Sequence, residues 1–147
     1  MINFELLSEQ HVDQVAALEA VCFRMPWSKK SIAAELANPL SLWVVALDGE
    51  TVAGYVGSQS VLGESDMMNL AVLPQYRRCG VGTELVRELI SRLKDRQVHS
   101  LTLEVRQSNE EAIGLYKKMD FQQVGCRPNY YQNPREDALI LRKEWNV

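Results

Sequence analysis

Apolar positions along the chain recur with two periods, and the switches between them mark the elements. "INFELL" reads as a short strand. "SEQHVDQVAALEAVCF" then places Val12, Val15, Ala16, Leu18, Ala20 and Val21 at roughly helical spacing, with Ser8 as the N-cap candidate. "PWSKKSIAAELANP" predicts a second, shorter helix opened by Ser28 and closed before Pro39. "SLWVVALDGETVAGYVGSQSV" reads as two strands joined at Asp48-Gly49, a strong hairpin dipeptide, and "SDMMNLAVLP" as a further strand ended by Pro74.

A long helix follows, with Val81, Leu85, Val86, Leu89, Ile90 and Leu93 as its apolar stripe and Arg87, Glu88, Arg92 and Lys94 facing out. "HSLTLEVR" alternates, so Leu101, Leu103 and Val105 share one face and Thr102, Glu104 and Arg106 the other. "SNEEAIGLYKKMD" predicts a helix with Ser108 and Glu111 in capping-box spacing. "FQQVGCRPNYY" and "EDALILRKEW" are two last strands around a loop at Gln132 to Arg135. The order β-α-α-β-β-β-α-β-α-β-β implies an α/β fold whose central, partly parallel sheet carries helices on its faces.

Between the strand ended by Pro74 and the long helix lies "QYRRCGVGTEL", where glycines precede a helix as in anion-binding loops. A Walker loop needs a lysine and a hydroxyl after its last glycine, but Thr83-Glu84 follow Gly82. A dinucleotide fingerprint needs a third glycine where Leu85 stands, and a first glycine directly after its strand. Arg77, Gly80 and Gly82 instead match Arg-x-x-Gly-x-Gly. Glycines let successive amides turn toward one point, and the free N–H groups of a helix start add positive charge, which suits a pyrophosphate. The competing reading is a tight turn that only starts a helix.

The 147 residues fit one domain, 1–147, and the 46% hydrophobic and 24% charged content is an ordinary globular balance. A net charge of −3 disfavours a protein that works by coating nucleic acid, although Arg77 and Arg78 form a local basic patch. "MINFELLSEQH" lacks the basic start and apolar core of a secretion signal, and "LWVVAL" is far shorter than the roughly 20 residues that span a bilayer. Cys22, Cys79 and Cys126 form no CxxC pair and stand apart from His11 and His99, so no metal site and a reducing, cytoplasmic setting are expected.

The segments "MMNLAVLPQYRRCGVGTELV" and "LTLEVRQSNEEAIGLYKKMDFQQVG" are similar to the acetyl-CoA-binding core of the Gcn5-related N-acetyltransferases (GNAT). More narrowly, "FRMPWS", "LEVRQSNEEAIGLYKKMDF" and "RPNYYQNPREDALIL" resemble the RimI-type ribosomal-protein-alanine N-acetyltransferases of that superfamily. The resemblance implies a mixed, mostly antiparallel sheet splayed between strands four and five and flanked by about four helices. It also implies acetyl-CoA as donor, with pantetheine bonded along Leu70, Ala71 and Val72. The pyrophosphate would rest on the amides of Arg78, Cys79, Gly80, Val81, Gly82 and Thr83. Asn109 divides between capping its helix and meeting the cofactor arm.

By the same resemblance Glu104 is the general base and Tyr116 the general acid of a direct transfer without an acyl-enzyme. The alternatives are a surface glutamate paired with Arg106 or a lysine, and a half-buried tyrosine packed beside Ile113 and Leu115. The loops "CFRMPWS" and "NYYQNPREDAL" would flank a peptide groove, with Met25 and Trp27 limiting the first side chain and Tyr130 and Tyr131 bonding peptide backbone. Glu136 and Asp137 would attract a cationic terminus or merely solvate an edge strand. The expected acceptor is a ribosomal protein's N-terminal alanine, used by a monomer or weak dimer without direct contact to nucleic acid or membrane. Acetylation of a lysine or small amine, and a non-catalytic acetyl-CoA sensor, remain the competing functions; a sensor needs neither acid nor base.

Overall fold

A computed structural model describes residues 1–146. Strand β1 (Ile2–Leu6) leads through a 3-10 turn, Glu9–His11, into helix α1 (Val12–Cys22). Ser8 therefore precedes the turn rather than the α-helix, and its backbone N–H donates to His11 Nδ1 at 3.0 Å. Helix α2 (Lys29–Glu35) opens as predicted, with Ser28 Oγ accepting from the Ser31 N–H at 3.1 Å. Strands β2 (Ser41–Asp48), β3 (Thr51–Val61) and β4 (Glu64–Val72) form a meander. Helix α3 (Val81–Asp95), β5 (Ser100–Arg106), α4 (Glu110–Lys118), β6 (Gln122–Tyr131) and β7 (Glu136–Glu144) complete the order.

The seven strands lie in the order β1-β2-β3-β4-β5-β7-β6. Every pairing is antiparallel except β4 with β5. Strand β2 is buried on both faces, and its side chains sort into two cores. Leu42, Val44 and Ala46 join Leu85, Leu89 and Leu93 of α3 together with Tyr116 of α4. Trp43, Val45 and Leu47 join Val12, Val15 and Leu18 of α1 and Ile32 of α2. Helices α1 and α2 thus cover one face and α3 and α4 the other. Each fully buried leucine contributes about 1.5–3 kcal/mol of hydrophobic stabilisation, which outweighs the weak intrinsic preference of any single residue for helix or strand.

The apolar stripe of α1 is rotated from the one the spacing predicts. Leu18 and Glu19 face inward, whereas Ala20 and Val21 are exposed. A second correction concerns α4, whose N-cap is Asn109 and not Ser108: Asn109 Oδ1 accepts from the Ala112 N–H at 3.1 Å. On the α1 side of the sheet, Trp43 lies flat over Gly57, and a Cβ on that glycine would come within 2.4 Å of the indole. Tyr55 stacks on the same indole at 5.6 Å, while Trp27 meets it edge-on at 5.4 Å.

Candidate active site

The two central strands part company early. Parallel pairing of β4 with β5 covers only Glu64–Asp66 against Ser100–Thr102, so from Met67 onward β4 runs free of β5. Beyond that point Asn69 pairs with Gly57 of β3 and Met67 with Ser58, leaving Met68 as an extra residue. Such a bulge bends its strand and strengthens its twist. The splay expected at Leu70 to Val72 thus begins earlier, and the bulge sits two residues before Leu70.

The gap opens into a cleft of about 860 Å³, within the range of small-molecule sites. Met67 to Leu70 form one wall, Leu103 to Arg106 the opposite wall, and Asn109 and Tyr116 of α4 also line it. Phe23, Arg24 and Met25 of the α1–α2 loop, Tyr130 and Tyr131 at the end of β6, and Gln132 to Pro134 of the β6–β7 loop complete it. Met25 is 89% exposed. Trp27 does not line the cleft and packs on Trp43 instead. Ala71 and Val72 carry β4 past the cleft toward the glycine turn; Ala71 is buried in the α1-side core and Val72 packs against the α3-side core.

That turn is built to leave amides free. The hydroxyl of Tyr76 donates to Asp48 Oδ2 at 2.6 Å, and Arg77 Nε donates to the Val72 carbonyl at 3.1 Å, which pins the chain before the glycines. Arg78 and Gly80 take left-handed φ values of +65° and +80°, and nothing lies within 4 Å of a Cβ placed on Gly80. The first α3 bond runs from the Glu84 N–H to the Gly80 carbonyl at 3.1 Å. The amides of Val81, Gly82 and Thr83 have no intrahelical acceptor and face the helix start, an anion-favouring arrangement. Arg78, Cys79 and Gly80 are exposed, while Gly82 and Thr83 are half-buried.

Glu104 sits on the cleft face of β5, 26% exposed, with Oε1 3.4 Å from Arg127 Nε. Its partner is neither Arg106 nor a lysine. Arg106 is engaged elsewhere: it pairs with Glu136 at 3.2 Å and donates to the carbonyls of Gln132 and Pro134 at 3.0 Å each. Glu136 also accepts from the Ser108 N–H, and bonding from the Ser108 side chain first, then from that N–H and from Arg106, holds its carboxyl below the ordinary range. Asp137 accepts from the Asn129 N–H at 2.8 Å. Strand β7 lies between β5 and β6, so these acids do not solvate an edge strand; their bonds fasten the β6–β7 loop.

Tyr116 is buried, edge-on to Phe121 at 5.4 Å, and its hydroxyl lies 3.8 Å from the Met67 sulfur. Burial pushes its pKa up to about 12, with the nearby Tyr131 adding to the rise. Tyr131 reaches about 12 as well, through burial first and then the neighbouring Tyr130 and Glu104. Tyr130 is half exposed and packs edge-on against Tyr131 at 5.1 Å. A cleft-lining carboxylate and a tyrosine that keeps its proton through neutral pH are thereby brought to one site.

The sequence reading missed three side chains here, Arg127, Asn69 and Glu19, and offered Arg106 as a partner of Glu104 where it bonds Glu136 and the loop carbonyls. Glu19 left one sign, because it continues the 12, 15, 19, 22 spacing of α1 and so puts a charge on an apolar stripe. Among the described residues no group of three or more His, Cys, Asp or Glu is arranged to hold a metal, and no helix is long and apolar enough to cross a membrane.

Comparison with known proteins agrees with this geometry. An Escherichia coli (strain K12) relative named [ribosomal protein bS18]-alanine N-acetyltransferase is 36% identical over 139 residues, 93% of this chain and 89% of its own. A Bacillus subtilis protein that carries the same name provisionally is 39% identical over 133 residues, 90% of this chain and 88% of its own. The crystal structure of the E. coli ribosomal-protein-S18-alanine N-acetyltransferase superposes with a TM-score of 0.91 at 33% identity, covering 100% of this chain and 96% of that one. Arabidopsis thaliana NAA60, solved with acetyl-CoA, shares the fold at a TM-score of 0.89 and 19% identity, covering 100% of both chains. A model of the acetyltransferase (GNAT) family matches residues 12–121, and the chain belongs to that family.

Proposed function

We propose that the protein transfers the acetyl group of acetyl-CoA to the α-amine of a protein N-terminus, the N-terminal alanine of ribosomal protein bS18 being its acceptor. The observation that carries this reading is the meeting of Glu104, Tyr116 and two loops around the gap left where β4 leaves β5. The names of relatives 36% identical over most of the chain support the acceptor. A ribosomal acceptor would put the reaction in the cytoplasm.

In this reading the freed edge of β4 from Asn69 to Val72 bonds the pantetheine arm as a neighbouring strand would, and the amides from Arg78 to Thr83 hold the pyrophosphate. Asn109, already the cap of α4, borders the same arm. The α1–α2 loop with Met25 and the β6–β7 loop with Tyr130 and Tyr131 bracket the first residues of the peptide. Trp27 supports its loop from beneath by packing on Trp43.

An N-terminal amine has a pKa of about 7.7–8.0, so a modest base suffices to present it neutral. Glu104 takes that proton through a water, the amine nitrogen bonds the thioester carbonyl carbon, and an amide of β4 steadies the oxyanion. When the carbon–sulfur bond breaks, Tyr116 gives its proton to the thiolate leaving group, and the second proton of the attacking nitrogen passes through water to restore the tyrosine. Cys79, exposed on the glycine turn, has no part in this direct transfer.

Incubation with labelled acetyl-CoA and a mixture of ribosomal proteins, followed by mapping of the label, tests the reading. Label on an N-terminal alanine is expected. Label on lysines or small amines alone would replace the acceptor, and bound acetyl-CoA without turnover would favour a sensor.

A further inference from the structure

Glu19 is a carboxylate in a place where stability alone does not call for one. It is 0% exposed, on the face of α1 that packs Val15 and Leu18 against the sheet. Burial pushes its pKa above the ordinary carboxylate value, although bonds from Trp27 and Asn69 pull it back. Well-packed hydrocarbon in place of a buried charge is often neutral or stabilising. The bonds it makes suggest what the charge is for.

Its two oxygens are divided between two walls of the cleft. Oε1 accepts from the backbone N–H of Trp27 at 2.8 Å, and Oε2 accepts from Asn69 Nδ2 at 2.8 Å. Trp27 ends the loop whose Phe23, Arg24 and Met25 line the acceptor side. Asn69 follows the Met68 bulge and lines the β4 wall. One carboxylate thus spans the α1–α2 loop and the strand that has left β5. Full burial keeps it off the reactants, so whatever it does it does through Trp27 and Asn69.

We propose that Glu19 is a positioning residue that clamps the acceptor loop to the donor strand at one spacing, so that amine and thioester meet in register. The proposal rests on the reading of the cleft as the acetyl-transfer site. Misplacement of a reacting group by about 1 Å can cost on the order of 100-fold, so even a soft clamp has kinetic consequences.

Two substitutions separate the clamp from mere packing. Glu19→Met keeps length and apolar fit but removes both acceptors. Glu19→Gln keeps one acceptor, and the Asn69 amide can turn its oxygen to the new N–H, so both contacts survive. Glu19→Met is expected to raise KM for an alanine-starting peptide on the order of 10-fold, with acetyl-CoA affinity within about twofold of the parent. Hydrogen exchange of residues 23–28 should accelerate by about 10-fold or more in the same variant. Glu19→Gln should restore both readouts.

Unchanged acceptor KM in a folded Glu19→Met protein overturns the proposal, whether or not the loop exchanges faster. If Glu19→Met does not fold, Asn69→Leu cuts the strand contact alone and must raise the same KM; an unchanged value overturns the clamp. If the parent protein acetylates no peptide N-terminus but does acetylate a lysine peptide or a small amine, the acceptor reading falls. The KM split is then measured on that amine and still decides the clamp. No turnover with any amine overturns both.

Discussion

The guanidinium of Arg106 lies over the ring of Tyr131, 4.4 Å from its centroid, and the same group holds the Gln132 and Pro134 carbonyls and the Glu136 carboxylate. One side chain therefore shapes the β6–β7 loop from inside the cleft. A lysine has neither the planar fork nor the stacking face for these contacts. Arg106→Lys is expected to raise acceptor KM on the order of 10-fold while acetyl-CoA affinity stays within about twofold. Steady-state kinetics with each substrate varied, alongside calorimetric titration of acetyl-CoA, check it.

Glu104→Gln separates base from ion pair. A partly exposed pair at 3.4 Å such as Glu104 with Arg127 contributes about 1 kcal/mol or less, so thermal stability should barely move. General-base catalysis contributes about 100-fold or more, and kcat should fall by that much with acetyl-CoA binding intact. A variant that melts lower but turns over normally would assign Glu104 a structural role only.

Tyr116→Phe removes one hydroxyl whose contact is a sulfur 3.8 Å away. Stability at neutral pH should change by less than about 1 kcal/mol, whereas kcat should drop about 100-fold. The folded-state pKa of about 12 lies above the ordinary 10.0, so the folded protein holds this proton more tightly than the unfolded chain. Its contribution is complete below about pH 10 and is lost as pH rises toward 12, on the order of 2–3 kcal/mol in all. Denaturation curves at pH 9 and 11.5 should show the parent losing more stability over that interval than the phenylalanine variant.

Gly80→Ala tests the turn. Space for a Cβ is open there, so the cost is backbone strain at φ +80°, about 1 kcal/mol and about 3 °C in Tm. Acetyl-CoA affinity should fall with it, because the free amides of Val81 to Thr83 depend on that turn. Gly80→Asn, which tolerates left-handed φ better, should lose less of both.

Much of the frame could be read from the sequence because local rules agreed with tertiary ones. The apolar stripe of α3 and the alternation on β5 each match a buried face, so the elements and the side of Glu104 followed directly. Adjacent cap-competent residues blurred the start of α4, where Ser108 and Asn109 both satisfy the local pattern and only the fold selects the second. Alanines on both sides of α1 left its rotation open, which hid Glu19. Arg127 was out of reach for another reason: it stands on β6 while β7 intervenes, and no local spacing records that sheet order.

The indole of Trp43 occupies the volume that any side chain at position 57 would need. Position 57 therefore cannot drift before position 43. A larger residue at 57 can arise only in a lineage where 43 has already become small, and that step strips the support from beneath Trp27. The order of substitutions is fixed by geometry, and the path runs through a weakened acceptor loop. Among relatives that keep the loop, glycine and the large ring should be inherited as a pair.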